Sequence, residues 1–274
     1  MRSKRIAMRI RYFIVGVSAM ISLLPIYVMV TTSFKTRVDA FSIPPKWFFS
    51  PTIQNYKEVL FSQNFSRYFM NSLIIALIAT LLSVGIGAFA AYALARFRFM
   101  GKGIFTGSTM LLRMIPPVIL VIPIFILWSK IGLTNGKSGL ILTYIALNLP
   151  FNIWVLQTFI SELPIELEEA ALIDGCSDLG IFFRIILPLI APGLSVASIF
   201  TFRISWNEFI LSLVLTNRYT RTLPVAVSLY LTDVGIEWGQ ITAIATLIAL
   251  PAFIFTFTAA KSLIMGMTAG AVKG

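Results

Sequence analysis

Six stretches of the chain, at residues 12–34, 68–95, 104–129, 139–161, 189–215 and 241–260, are each apolar for long enough to cross a bilayer. About 20 mostly apolar residues in helical form span the ~30 Å of hydrocarbon. The first, second, fourth and sixth runs contain no Asp, Glu, Lys or Arg. The third carries Arg113 with Pro116, Pro117 and Pro123, and the fifth carries Arg203 and Glu208. Each run is about twice as long as a barrel strand and lacks strict alternation, which leaves helices as the spanning elements. Composition agrees: 58% of the 274 residues are hydrophobic and 12% are charged, where a soluble domain carries roughly a quarter charged. The expected architecture is an all-α integral membrane protein with six transmembrane helices.

Orientation follows from Lys and Arg near the ends of spans. The N-terminal MRSKRIAMRIR holds five basic residues and no acid, so both termini are expected in the cytoplasm, because six spans return the chain to its starting side. Arg96, Arg98 and Lys102 follow the second span on that side. The outer loops also carry Lys35, Arg37, Lys46, Lys57 and Arg67, so the N-terminal tail decides. The first span is longer than a signal-peptide core, and TTSFKTR after it offers no A-x-A cleavage site; it reads as an uncleaved anchor. Residues 1–67 then comprise the tail, first span and outer loop, 68–264 a five-helix membrane domain, and 265–274 a cytoplasmic tail. A single cysteine, Cys176, excludes an intrachain disulfide, and the absence of histidine removes the commonest metal ligand and general base.

Two near-matches to nucleotide motifs fail on context. IGLTNGKSG at 131–139 needs glycine where Ile131 stands, and it lies between two spans on the outer face with no preceding strand. GIGAFA at 85–90 sits in the middle of a span with no βαβ unit around it. A better account is a ridge of small residues at four-residue spacing, Ala79, Ser83, Gly87, Ala91 and Ala95, which lets another helix approach closely. Charged residues inside a membrane face protein or a wet cavity. Arg113, Asn148, Asn152, Arg203, Asn207 and Glu208 therefore mark either bonds between helices or a solute pathway, and Gln157 extends the polar side of the fourth span. No catalytic pair of carboxylates, cofactor site or metal site emerges, and nothing suggests nucleic acid.

The loop at 162–188 is anomalous. Six of the eleven acidic residues of a chain with net charge +11 fall between 162 and 178. Pro164 suits a helix start, and Glu166, Glu168 and Glu169 then complement the dipole of its first turn. Gly175 is placed to end the helix in the left-handed conformation, and Ser177 or Asp178 to cap a second helix running to Pro188. The expectation is a helix of about three turns whose apolar side, Leu163, Leu167, Ala170 and Ala171, docks in a groove of a partner.

The chain reads EAALIDG at 169–175, then nine residues, then IILP at 185–188. This resembles the EAA signature of permease subunits of bacterial ABC importers, the MetI-like, binding-protein-dependent family. Glu169, Ala170, Ala171, Gly175, Ile185, Leu187 and Pro188 match at the family's spacing, and Cys176 stands where alanine is common. TSFK at 32–35, NSL at 71–73, AYALARF at 91–97, WNEF at 206–209, TLPVA at 222–226 and the terminal TAGAVKG resemble the sugar-importer branch, that of the second permease of maltose-type systems.

The resemblance implies a type I importer fold in the bacterial inner membrane and a heterodimer with a second permease. It also implies two ATPase subunits, which hold the ATP and Mg, and an extracytoplasmic solute-binding protein. By likeness the first loop helix is a coupling helix: Glu169 and Asp174 meet the ATPase groove, Ala170 and Ala171 allow close approach, and Gly175 permits the bend. The implied function is ATP-driven import of a carbohydrate, without enzyme activity in this chain. A polyol, glycerol phosphate or acidic oligosaccharide stands as the alternative solute, and a membrane-embedded transferase as a remoter alternative.

Overall fold

The computed structural model describes the backbone of residues 2–62, 64–228, 231–232 and 235–271, and the side chains of 8–61, 64–228 and 237–258. In chain order the helices are α1 (Arg2–Ser33), α2 (Arg37–Ala40), α3 (Gln54–Ser62), α4 (Phe65–Arg96), α5 (Lys102–Arg113), α6 (Pro117–Lys130), α7 (Lys137–Ser161) and α8 (Glu166–Ile173). Then come α9 (Asp178–Ile181), a π-helical turn (Phe182–Ile186), α10 (Leu187–Leu189), α11 (Ala191–Asn207), α12 (Ile210–Leu215), α13 (Leu223–Val227) and α14 (Trp238–Ala271). The one departure from all-α among the described residues is a two-residue antiparallel pairing, Leu231 with Ile236 and Thr232 with Gly235. α14 continues through most of the expected C-terminal tail, whose last residues, 272–274, lie outside the described ones.

Four described segments are long and apolar enough to cross a membrane: Met8–Ser33, Phe65–Arg96, Lys137–Ser161 and Trp238–Thr258. The other two expected spans are broken. Lys102–Arg113 and Pro117–Lys130 meet at 102°, and Asp178–Leu189 and Ala191–Asn207 meet at 76°. Consecutive prolines explain the first break. Pro25, Pro123, Pro150 and Pro251 each sit inside a helix, but Pro116 and Pro117 together remove two donors and push the preceding residues out of the α region. Pro116 is extended, with ψ 128°, and Pro117 opens α6, where its missing N–H is no loss. The expected span 189–215 also divides at Glu208, between α11 and α12.

The chain forms two compact units. The first comprises residues 1–66 and 226–250. In it Ser33 Oγ lies 2.7 Å from the Tyr56 hydroxyl, and Asn55 Nδ2 donates to the carbonyls of Ser33 and Lys35 at 2.9 and 2.8 Å. These bonds tie TSFK to α3. Lys46 and the Thr36 hydroxyl bond the Asp39 carboxylate and hold it below its usual pKa range.

The second unit, residues 67–225 and 251–274, holds two apolar clusters. One gathers Val84, Ala88, Ala91, Tyr92, Leu156, Ile160, Ala171, Phe182 and Ile186; the other gathers Ile75, Ala79, Val121, Leu140, Tyr144, Leu211 and Leu215. The small-residue ridge of α4 lies at the meeting of helices, with Ala79, Ser83, Gly87 and Ala91 buried and Ala95 half-buried. Asn152 of α7 is fully buried against it: Nδ2 donates to Ser83 Oγ at 2.8 Å, and Oδ1 accepts from Thr201 Oγ1 of α11 at 2.9 Å. One amide thereby joins three helices.

A Cβ on Gly87 would sit 2.8 Å from Asn152 Cβ, whereas one on Gly85 would meet nothing within 4 Å. Gly87→Val is expected to cost about 1–3 kcal/mol through overpacking, read as a lower temperature at which the detergent-purified protein loses monodispersity. Gly85→Val, two residues away, should leave that temperature unchanged.

Candidate functional site

The acidic loop folds as two helical arms. α8 begins at Glu166, two residues later than a start at Pro164 requires, and spans 8 residues, closer to two turns than three. Pro164 lies outside the helix, and its carbonyl accepts from Leu167 N–H at 3.4 Å. At the other end Gly175 has φ +84°. Gly175 N–H bonds the Leu172 carbonyl at 3.0 Å, and Cys176 N–H bonds the Ala171 carbonyl at 2.9 Å. This pair of bonds is the Schellman closure, whose accompanying apolar contact is here made by Ala171 and Cys176 in the same cluster. The position therefore takes a small apolar residue, which accounts for Cys176.

The second arm starts where Ser177 Oγ accepts from Gly180 N–H at 3.2 Å. Pro188 cannot donate to the carbonyl four residues back and crowds it. The turn before it widens, and Leu187 N–H bonds the Phe182 carbonyl five residues back. Ile185 and Leu187 pack against the cluster, whereas Pro188 is exposed. Phe182 stacks on Phe89 at 4.5 Å and lies 5.4 Å from the Tyr92 ring, so α4 also carries this arm.

Half of the side expected to face outward does so: Leu167 and Ala170 are exposed, whereas the other two residues turn inward. Ala171 is buried and Leu163 half-buried, both packed on the cluster. The outward stripe is Glu166, Glu169, Ala170 and Ile173, at i, i+3, i+4 and i+7, with Ile173 87% exposed. Asp174 is exposed just beyond it. Glu168, absent from the expected set, points inward and is 7% exposed. Its Oε1 pairs with Arg96 Nε, and its Oε2 accepts from the Tyr92 hydroxyl at 2.9 Å. Arg96 Nη2 also donates to the Leu163 carbonyl at 3.0 Å. Both carboxylate oxygens are bonded, as an ion pair this buried requires. AYALARF contained this pair's other half, but no local pattern distinguishes Glu168 from its neighbours.

The intramembrane polar residues separate into two groups. Arg113, Asn148 and Glu208 line a cavity of about 160 Å³ with Tyr144, Phe151 and Ile204. The Arg113 guanidinium lies 4.0 Å from the Phe151 ring centre. Asn148 Nδ2 donates to the Tyr144 carbonyl at 2.8 Å. Glu208 closes the break before α12: Oε1 accepts from Leu211 N–H at 2.8 Å, and Oε2 from Ser212 N–H at 3.0 Å and the Tyr144 hydroxyl at 2.8 Å. Asn152, Arg203 and Asn207 are not in the cavity wall. Asn152 is the helix tie described above; Arg203 is exposed over the Phe200 ring, and Asn207 Nδ2 bonds the Arg203 carbonyl at 2.9 Å. Among the described residues no group of histidine, cysteine and carboxylate side chains could hold a metal.

Spanning helices, broken spans around a cavity that holds Arg113, Asn148 and Glu208, and a short helix with an exposed outward stripe characterise a multi-pass membrane transport subunit. The chain belongs to the family of binding-protein-dependent transport system inner membrane components, whose model matches residues 83–267. It is 38% identical over 252 residues to the diacetylchitobiose uptake system permease protein DasC of Streptomyces coelicolor, covering 91% of each chain. It is also 38% identical over 259 residues to the trehalose transport system permease protein SugB of Mycobacterium tuberculosis, covering 92% of this chain and 93% of that one. Its fold matches a subunit in the crystal structure of a bacterial ABC transporter involved in the import of the acidic polysaccharide alginate. That match has TM-score 0.80 and 22% identity, over 95% of this chain and 98% of the other.

Glu208→Ala removes the acceptor for two free N–H groups and for Tyr144. The expected loss is about 1–2 kcal/mol, in the range of other helix caps, with faster hydrogen exchange at the Leu211 and Ser212 amides. Unchanged exchange at both would show that the carboxylate does not cap α12.

Proposed function

We propose that the chain is the transmembrane subunit of an ATP-driven, binding-protein-dependent carbohydrate importer, and that α8 is its coupling helix. The outward stripe of α8 carries the proposal. An isolated helix of two turns is marginal in water, yet this one leaves Ile173 exposed between Glu169 and Asp174 at the end of a closed Schellman turn. Such a stripe fits a groove with an apolar floor and basic or amide donors at its rim. In the assembled importer two ATPase subunits supply that groove and hold the ATP and Mg, a second permease completes the pathway, and a solute-binding protein delivers solute at the opposite face. Both termini are cytoplasmic, as the basic N-terminal tail favours. The transport domain covers 68–264, preceded by the anchor segment 1–67 and followed by the tail 265–274.

Within this reading Glu169, Ala170 and Asp174 meet the ATPase directly. Ala171, Gly175, Ile185, Leu187 and Pro188 act one step back, by shaping the two arms. A carbohydrate is supported by the diacetylchitobiose and trehalose systems in which relatives serve. Arg113 at the cavity wall favours, as a second reading, an anionic solute such as an acidic oligosaccharide.

Gly175→Val forces a β-branched residue into φ +84°, and Glu169→Lys reverses a charge on the outward stripe. Each is expected to lower ATP-driven uptake by about tenfold or more, with membrane insertion intact by fractionation. Normal uptake and normal solute-stimulated ATP hydrolysis by both reconstituted variants would remove the coupling role from α8.

A further inference from the structure

We infer that α4 is the rod through which movement of α8 crosses the protein, bolted to α8 at one end by Arg96, Tyr92 and Glu168 and to the loop 219–223 at the other by Asn71 and Ser72. The inference deepens the importer reading and rests on it.

The chain connections of α8 are poor transmitters of force. Residues 162–165 before it form turns and bends without a helix, and Gly175 and Cys176 after it form a non-helical joint with a left-handed glycine. A load on the outward stripe bends such joints before it moves α7 or α9. Side chains on the inner stripe bypass both. Glu168 engages α4 at two points one turn apart, Tyr92 and Arg96, and Arg96 reaches round to the Leu163 carbonyl. Two attachments on one carboxylate resist rotation as well as separation, and Ala171 is buried in the same apolar cluster as Ala88, Ala91 and Tyr92.

α4 itself runs unbroken for 32 residues without an internal proline, whereas α1, of equal length, contains Pro25 and α14 contains Pro251. At about 1.5 Å per residue it extends some 48 Å, enough to traverse the membrane. At its far end Asn71 Nδ2 donates to the Tyr219 and Arg221 carbonyls at 2.9 and 3.0 Å. Ser72 Oγ accepts from Leu223 N–H at 2.7 Å. These bonds join NSL to TLPVA and fix a loop that Asn217 further braces through the Tyr219 N–H at 2.8 Å. One unbroken helix therefore holds the loop helix at one end and the opposite loop at the other, each by side-chain bonds to backbone or carboxylate.

The test uses the full complex, permeases, ATPases and binding protein together, in proteoliposomes, with solute imported per ATP hydrolysed as the readout. Tyr92→Phe, Arg96→Gln and Glu168→Gln are expected to lower that ratio about tenfold, while ATP hydrolysis continues and no longer responds to solute-loaded binding protein. Asn71→Ala should lose the same response from the other end. A purely structural role would lower the amount of assembled complex without changing the ratio. Independently of any weakened variant, spin labels at Arg98→Cys and Leu172→Cys, in a Cys176→Ala chain with wild-type bolt residues, should keep one separation with and without ATP and vanadate. A wild-type import ratio in all four variants, or a nucleotide-dependent change above about 5 Å between the labels, overturns the rod. A wild-type complex that neither hydrolyses ATP nor imports solute overturns the importer reading itself, and the rod with it.

Discussion

Hydrocarbon offers a peptide group no water, so every N–H and C=O within the membrane must find its partner inside the protein. That constraint governs where this chain can interrupt a helix. Where α11 stops, the Glu208 carboxylate takes the N–H groups that begin α12. Where α5 stops, the Met114 and Ile115 N–H groups bond the Leu111 and Leu112 carbonyls, and the prolines that follow have no N–H to satisfy. Where the π turn widens ahead of Pro188, the Leu187 N–H finds the Phe182 carbonyl five residues back. The polar residues inside the spans thus have a first duty to the backbone. The cavity bounded by Arg113, Asn148 and Glu208 exists because two spans were broken and their ends closed in this way.

Around those breaks α4 remains unbroken, and its small-residue ridge determines what packs against it. Gly87 admits Asn152, and Asn152 ties α4 to α7 and α11 at a single buried amide. Further along the same helix, Phe89 and Tyr92 receive the π turn, and Tyr92 and Arg96 receive Glu168. The loop between α7 and α11 is therefore also held by a helix to which it is not adjacent in sequence. Its outward stripe is exposed, while its inward one is used in packing and in the Glu168 bonds.

Much of this was legible in the residues. The lengths of the apolar runs located the spans, since spanning requires about 20 of them. The four-residue spacing of Ala79, Ser83, Gly87 and Ala91 identified the packing ridge, and Gly175 and Ser177 marked the end of one loop helix and the start of the next. Family membership matched the EAA resemblance because that signature is a spacing of local structural devices: a helix, a left-handed glycine and a proline-disturbed second arm. The broken spans were less legible. Their prolines and charges were visible, but a single proline is tolerated inside α1, α6, α7 and α14, so sequence did not tell which proline would end a helix.

By itself, then, the sequence determined that the chain spans a membrane by helices, where its small-residue face lies, and that residues 162–188 form a capped, acid-rich pair of helices. Each of these depends on residues within a few turns of one another. Tertiary structure alone decided which acids face outward and which polar groups serve the backbone. Glu168 is distinguished from Glu166 and Glu169 by Arg96 and Tyr92, 72 and 76 residues earlier, and Glu208 meets Tyr144, 64 residues earlier, as well as the Leu211 and Ser212 amides. A carboxylate's role is set by the donors it meets, and in both cases at least one of them comes from a helix distant in sequence.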